Sequence, residues 1–221
     1  SKLYSYDNEL LTEFYVERRN YIPNHAIPPH VKRAFITIED KNFYTHYGID
    51  VLRICAALLH NIRAGAFVEG GSTITQQLAK MLFLTPEKTI TRKIKEIALA
   101  FQLERRYTKD ELLGMYLNHA YLGTRAYGIE AAAHTYFAKT TQQLTVAEAV
   151  LLATLPKAPS KHSPFKDPER ALRRRNFALK KMLGRGYITA EKYSEAIRAP
   201  LPVKINGRSF KSPFFVDYAR S

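Results

Sequence analysis

"TPEKTITRKIKEIALAFQLERR", residues 85–106, decides the fold class of this 221-residue chain. Ile90, Ile94, Ile97 and Phe101 recur at spacings of four, three and four, the period of one helical face. Thr85 and Pro86 offer an N-cap and a first-turn proline, so the stretch predicts a long helix ending near Arg106. Glu96 lies off that stripe. It lines up with Leu99 and Leu103 on a second apolar stripe, which predicts a carboxylate facing protein, with Arg92 and Lys93 one turn earlier and within its reach. Two readings of this trio stand side by side: a helix salt bridge worth about 0.3 kcal/mol, or a semi-buried carboxylate beside cations that hold phosphate oxygens.

Helical patterning extends outward in both directions. Val31, Ala34, Phe35 and Ile38 share a face in residues 30–40; residues 49–64 form an apolar helix stopped by Gly65; Ser72 or Thr73 caps a helix through about Phe83. Further helices fit 108–118, 128–137, 145–155, 167–184 and 189–198. Residues 1–28 read as an extended lead-in with a hairpin around Asp7-Asn8, and "LPVKINGRSFKSPFFVDYAR" at the other end returns to extended sequence. The expected class is mainly α, with little strand.

Thirty-four Lys and Arg against 20 Asp and Glu leave a net charge of +14, which calls for a polyanionic partner: nucleic acid, an anionic membrane or a phosphorylated substrate. Ten of the basic residues, against two acids, fall within 157–185. Aromatic residues there lack the interleaving of a base-stacking platform, so the reading favours an anionic membrane over nucleic acid. No run of about 18 apolar residues predicts a membrane-spanning helix. There is no initiator Met and no signal peptide, the pattern expected of a piece whose address and anchor have been removed. Cys55 is the single cysteine and reads as a small buried hydrophobe.

Three polar stretches carry the chemistry. In "ITIEDKNFYTHYGID", residues 36–50, a helix ends in adjacent carboxylates, Glu39 and Asp40, where the dipole opposes them by up to about 1 kcal/mol. His46 follows. In "EGGSTITQQLAK" two glycines precede a hydroxyl-rich helix start that points N–H groups at an anion, with Gln76, Gln77 and Lys80 on the turns beyond. The nucleotide P-loop spacing is absent, as are the zinc-ligand spacings and the serine-nucleophile elbow.

"ITIEDKNFYTHYGID", "GGSTITQQLAK", "RKIKE" and "KDELLGMYLN", in that order, closely resemble the leading motifs of the peptidoglycan glycosyltransferase domain of class A bifunctional penicillin-binding proteins. Nearly the whole chain takes part. The resemblance implies a lysozyme-like large helical lobe with a smaller lobe beside a long active-site cleft, divided as a lead-in (1–28), the glycosyltransferase domain (29–200) and the start of a linker towards a transpeptidase domain (201–221). It implies polymerisation of lipid II into β-1,4-linked glycan on the outer face of the bacterial cytoplasmic membrane, with inversion and release of undecaprenyl pyrophosphate. By resemblance Glu39 is the general base and Glu96 the second essential carboxylate, near the leaving group. Asp40, His46, Ser72, Gln76, Gln77, Lys80, Lys88, Arg92, Lys93 and Asn118 are the candidate substrate-binding residues, although the stretch around Tyr116 and Asn118 reads as mainly architectural. The neighbourhood of Asp40 and the helix end predicts a raised Glu39 pKa. No cofactor and no protein metal site is expected, a divalent cation entering at most with the pyrophosphate. Lipid II, the growing glycan, an anionic membrane surface and moenomycin-type inhibitors are the implied partners, and nucleic acid is not among them. Phe67 and Val68 are expected to touch lipid. His162, Ser163 and Arg125 depart from the usual pattern. The rival readings are a muramidase-like hydrolase, which has no pyrophosphate for the cations to stabilise, and a non-catalytic basic module, which leaves the motifs without a purpose.

Overall fold

Proline and a short list of hydroxyl and carboxylate caps set where the helices begin. The computed structural model describes residues 2–4, 10–13, 18–19, 21–65, 70–85, 87 and 89–206. Pro29 opens α1 (Pro29–Glu39), its fixed φ suiting the first helical turn. Asp50 caps α2 (Val51–Ala64) by accepting the Arg53 N–H, and Gly65, at φ 61°, ends it in the left-handed conformation expected from the sequence. Thr73, rather than Ser72, caps α3 (Ile74–Phe83) in a reciprocal capping box with Gln76.

The long helix α4 (Ile90–Arg106) starts one turn later than expected: Thr89, not Thr85, accepts the Arg92 N–H at 3.1 Å. Its apolar stripe is also a different one. Ile90 and Ile94 are 82% and 63% exposed, while Glu96, Ala100, Leu103 and Glu104 form the buried side. Helix α5 (Lys109–His119) follows a Thr108–Glu111 capping box. Then come α6 (Ile129–Phe137), α7 (Val146–Ala153), α8 (Pro168–Gly184) and α9 (Ala190–Arg198), each within two residues of its expected bounds.

Helix α1 packs on α7 and α8, α3 on α4 and α5, and α8 on α9. The core between them holds Phe35, Leu78, Leu112, Leu117, Val150 and Leu179, with Ile22 and Ile27 of the lead-in buried in it. Strand is scarce among the described residues. β1 (Lys2–Tyr4) pairs antiparallel with β2 (Leu10–Glu13), while the turn expected at Asp7-Asn8 lies outside the described residues. β3 (Arg18–Arg19) pairs parallel with β4 (Ala126–Tyr127), tying the lead-in to the approach to α6. Among the described residues no helix is long and apolar enough to cross a membrane. Cys55 is exposed, contrary to the buried position expected.

Candidate active site

Glu39 is the last residue of α1, 9% exposed, and its Oε2 accepts a hydrogen bond from Gln77 Nε2 at 2.9 Å. Gln77 is aimed by Tyr116, whose buried hydroxyl lies 3.5 Å from the Gln77 Oε1. Tyr116 itself packs edge-on against Phe35. Burial raises the Glu39 pKa, and the Gln77 bond and the charges of Arg53, Lys157 and Arg174 restrain the rise. The direction matches the sequence reading but the cause does not. Arg53 Nη1 donates to the Glu39 carbonyl, so the helix end is compensated rather than bare.

Asp40 has no exposed surface. Its Oδ2 accepts from the Ile74 main-chain N–H at 3.0 Å and from His46 Nε2 at 2.9 Å. An anion is thereby seated on the first turn of α3, where the dipole favours it. The carbonyl of Gly48 takes the Thr73 hydroxyl at 2.6 Å, and Gly48, at φ +77°, lies so close to α4 that an added Cβ would meet the Ala100 carbonyl carbon at 3.3 Å. Of these two expected substrate contacts, Asp40 is sealed and the His46 side chain is 7% exposed, and their hydrogen bonds join the end of α1 to α3.

On the far side of α3, Glu96 is 3% exposed and held by two cations, Arg92 Nη1 at 3.0 Å and Lys93 Nζ. Lys93 also donates to Ser72 Oγ at 2.9 Å, bringing the glycine loop and α4 together. Lys80 is exposed one turn beyond Gln77. Lys88, Phe67 and Val68 lie outside the described residues.

Two more candidates are bonded within the fold. Gln76 is fully buried and its Oε1 closes the α3 cap on the Thr73 N–H at 2.9 Å. The Asn118 amide is consumed by main chain, accepting from the Ile22 N–H and donating to the carbonyls of Ile22 and Gly114 at 2.8–2.9 Å.

Sequence reasoning missed three cations near Glu39: Arg53, Lys157 and Arg174. The basic segment 157–185 is more than a solvated face. Arg175 is 1% exposed and donates to the carbonyls of Ala199, at 2.6 Å, and Ile197, at 2.9 Å, at the C-terminal end of α9. Arg174 is half-buried and turned towards the Glu39 side. A signal was available, since three consecutive arginines on a helix point about 100° apart and cannot share one solvent face. His162 and Ser163, which depart from the usual pattern, are also buried: His162 Nδ1 meets the Thr154 carbonyl at 3.1 Å, and burial with Arg174 and Lys157 nearby lowers its pKa.

A mainly helical domain that sets a buried carboxylate of raised pKa between cationic groups has the makings of a helical glycosyltransferase. The model of the family described as Transglycosylase matches residues 7–183, and the chain belongs to that family. Penicillin-binding protein 1A of Aquifex aeolicus (strain VF5) is 50% identical over 221 residues, which is 100% of this chain and 30% of that protein. Penicillin-binding protein 1A of Escherichia coli (strain K12) is 47% identical over 99% of this chain and 26% of its own length. The crystal structure of penicillin-binding protein 1A from Haemophilus influenzae aligns with 99% of this chain and 23% of its own at a TM-score of 0.58 and 24% identity, a likeness of fold. The chain thus spans less than a third of the length of these relatives.

Proposed function

We propose that this domain is a peptidoglycan glycosyltransferase that extends a glycan by inverting attack on a lipid-linked pyrophosphate donor, lipid II and its polymer being the substrates. The observation that carries the reading is Glu39 itself. It is a carboxylate whose burial raises its pKa, yet it is aimed by Gln77 and kept ionisable by three cations.

Glu39 takes the proton of the acceptor 4-hydroxyl as that oxygen attacks the donor's anomeric carbon. The bond from that carbon to the pyrophosphate oxygen breaks on the opposite face, and the electron pair leaves with undecaprenyl pyrophosphate. Negative charge developing there meets Arg92 and Lys93, with Lys80 nearby. Glu96 holds both cations in place, a positioning role. Ammonium and guanidinium groups are poor ligands for a hard cation, and among the described residues no trio of His, Cys, Asp or Glu is placed to hold one. A divalent ion brought by the pyrophosphate is part of the same reading.

The acceptor keeps its own pyrophosphate. Lys41, Arg53 and Lys181 line a cavity of about 460 Å³ on the α2 side of Glu39, opposite α3 in the sense that Glu39 turns its side chain to α3 and its carbonyl to α2. That cavity suits the retained group. Exposed Leu52, Ile62, Phe83, Ile90 and Ile94 on α2, the end of α3 and the start of α4 offer an apolar surface for prenyl chains or bilayer. We place the domain on the outer face of the bacterial cytoplasmic membrane and divide the chain as a lead-in (1–28), a two-lobed, lysozyme-like catalytic domain (29–200) and a linker (201–221).

Labelled lipid II, incubated with this chain and with Glu39→Gln and resolved on a gel, tests the reading. Long glycan from the parent and none from the folded variant is the expected result. Normal polymerisation by the variant moves the base elsewhere, and cleavage of preformed glycan by the parent makes the enzyme a hydrolase.

A further inference from the structure

Arg53 stands between the cavity and the base. One of its guanidinium nitrogens, Nη1, donates to the Glu39 carbonyl and lies 3.7 Å from Asp40 Oδ1, a buried oxygen without a hydrogen-bond partner among the described residues. The same side chain is part of the cavity wall, with Lys41, Thr37, Leu52 and Lys181. A guanidinium has five N–H donors in a rigid fork, so it can take an anion from the cavity without releasing the carbonyl.

Charges reach Glu39 from several elements. Arg53 comes from α2, Lys157 from the segment after α7 and Arg174 from α8. Asp40 adjoins it, with His46 on the far oxygen, and the Tyr116 hydroxyl lies behind Gln77 from α5. Of these, Arg53 is the cation that faces both Glu39 and the cavity.

We propose that Arg53 is a positioning residue that reports occupancy of this cavity to the base: a phosphate or pyrophosphate group held by Lys41, Lys181 and Arg53 draws the guanidinium's charge off Glu39. The inference rests on the reading of Glu39 as the base and deepens it. With the cavity empty, Arg53 favours the ionised carboxylate, which is a weak proton acceptor. Once an acceptor's anionic group is seated there, that restraint is cancelled and Glu39 becomes the stronger base, at the moment a hydroxyl is presented to it.

The Glu39 side-chain carboxyl, followed by ¹³C NMR on glutamate-labelled chain and assigned by loss of its signal in Glu39→Gln, provides the test. Inorganic pyrophosphate is expected to move its titration midpoint upward by about half a pH unit or more. In Arg53→Gln the midpoint should stand high without pyrophosphate and no longer respond. In Lys41→Gln/Lys181→Gln it should start low and fail to respond, and that pair leaves the Arg53 contact to α1 in place should Arg53→Gln fold poorly. A midpoint that ignores pyrophosphate in the parent overturns the proposal. So does an equal shift in Arg53→Gln, which would place the anion on the Ser72–Lys93 side, or a uniform loss of polymerisation at every pH with the midpoint unmoved. The NMR midpoints need no turnover, so a Glu39→Gln chain that still polymerises lipid II would sink the assignment of the base separately.

Discussion

Glu39 keeps its proton longer than an ordinary carboxyl because burial costs its charged form more than Gln77, Arg53, Lys157 and Arg174 return. That asymmetry is also a stability statement. Between the ordinary carboxylate pKa, about 4.3, and the higher folded value, the native chain binds more protons than the unfolded one. Stability contributed by this group is therefore present below the unfolded pKa and is lost as pH rises through the folded one. Glu39→Gln is expected to melt higher than the parent at pH 8, with the difference shrinking to nothing towards pH about 4; thermal melts across that range check it, and a variant less stable at pH 8 would contradict it. At this scale the sequence was legible wherever partners sit a turn apart. Arg92, Lys93 and Glu96 could be read together because i, i+3 and i+4 spacing alone brings them into reach. Asp40 meets Ile74, and Asn118 meets Ile22, 96 positions away, so nothing local distinguishes these anchors from ligand-binding polar groups.

Helices were legible from caps and period, with two instructive failures on α4. Thr85 and Thr89 are equivalent caps by composition, and the helix takes the second. The Ile90–Ile94 stripe has the period of a core face but is exposed, whereas the stripe carrying Glu96 and Glu104 is buried because Lys93, Arg92, Thr75 and Lys109 satisfy both carboxylates. An exposed apolar stripe of this kind is an adhesive surface. Ile94→Glu is expected to weaken sedimentation with phosphatidylglycerol vesicles several-fold while leaving the melting temperature nearly unchanged; unaltered sedimentation would detach this face from the bilayer. Helix α8 makes a different commitment. Arg175→Met leaves the Ile197 and Ala199 carbonyls without their buried donor, and a loss of about 2–4 kcal/mol in urea unfolding is expected.

Across the whole molecule the charge of +14 acts at long range and the apolar patches act on contact. Vesicle binding by the parent should therefore fall steeply between low and roughly 0.5 M salt, where the Debye length drops to a few ångströms, and level off at a remainder that Ile94→Glu lacks. Binding that stays constant with salt would mean that the basic surface plays no part. Segments far apart in the chain also meet at its middle: β3 pairs with β4, and the Asn206 N–H reaches the Thr135 carbonyl at 2.8 Å.

The join between Asp40 and Ile74, doubled by Thr73 on Gly48, has a consequence for how the domain tolerates change. It is a clasp that closes a ring in the chain, 34 positions round from Asp40 to Ile74. Lengthening such a span costs entropy only logarithmically, about 0.6 kcal/mol for a doubling. A longer or shorter ring is accordingly expected to leave Glu39 and Gln77 in register, since the clasp and not the span between holds α1 to α3.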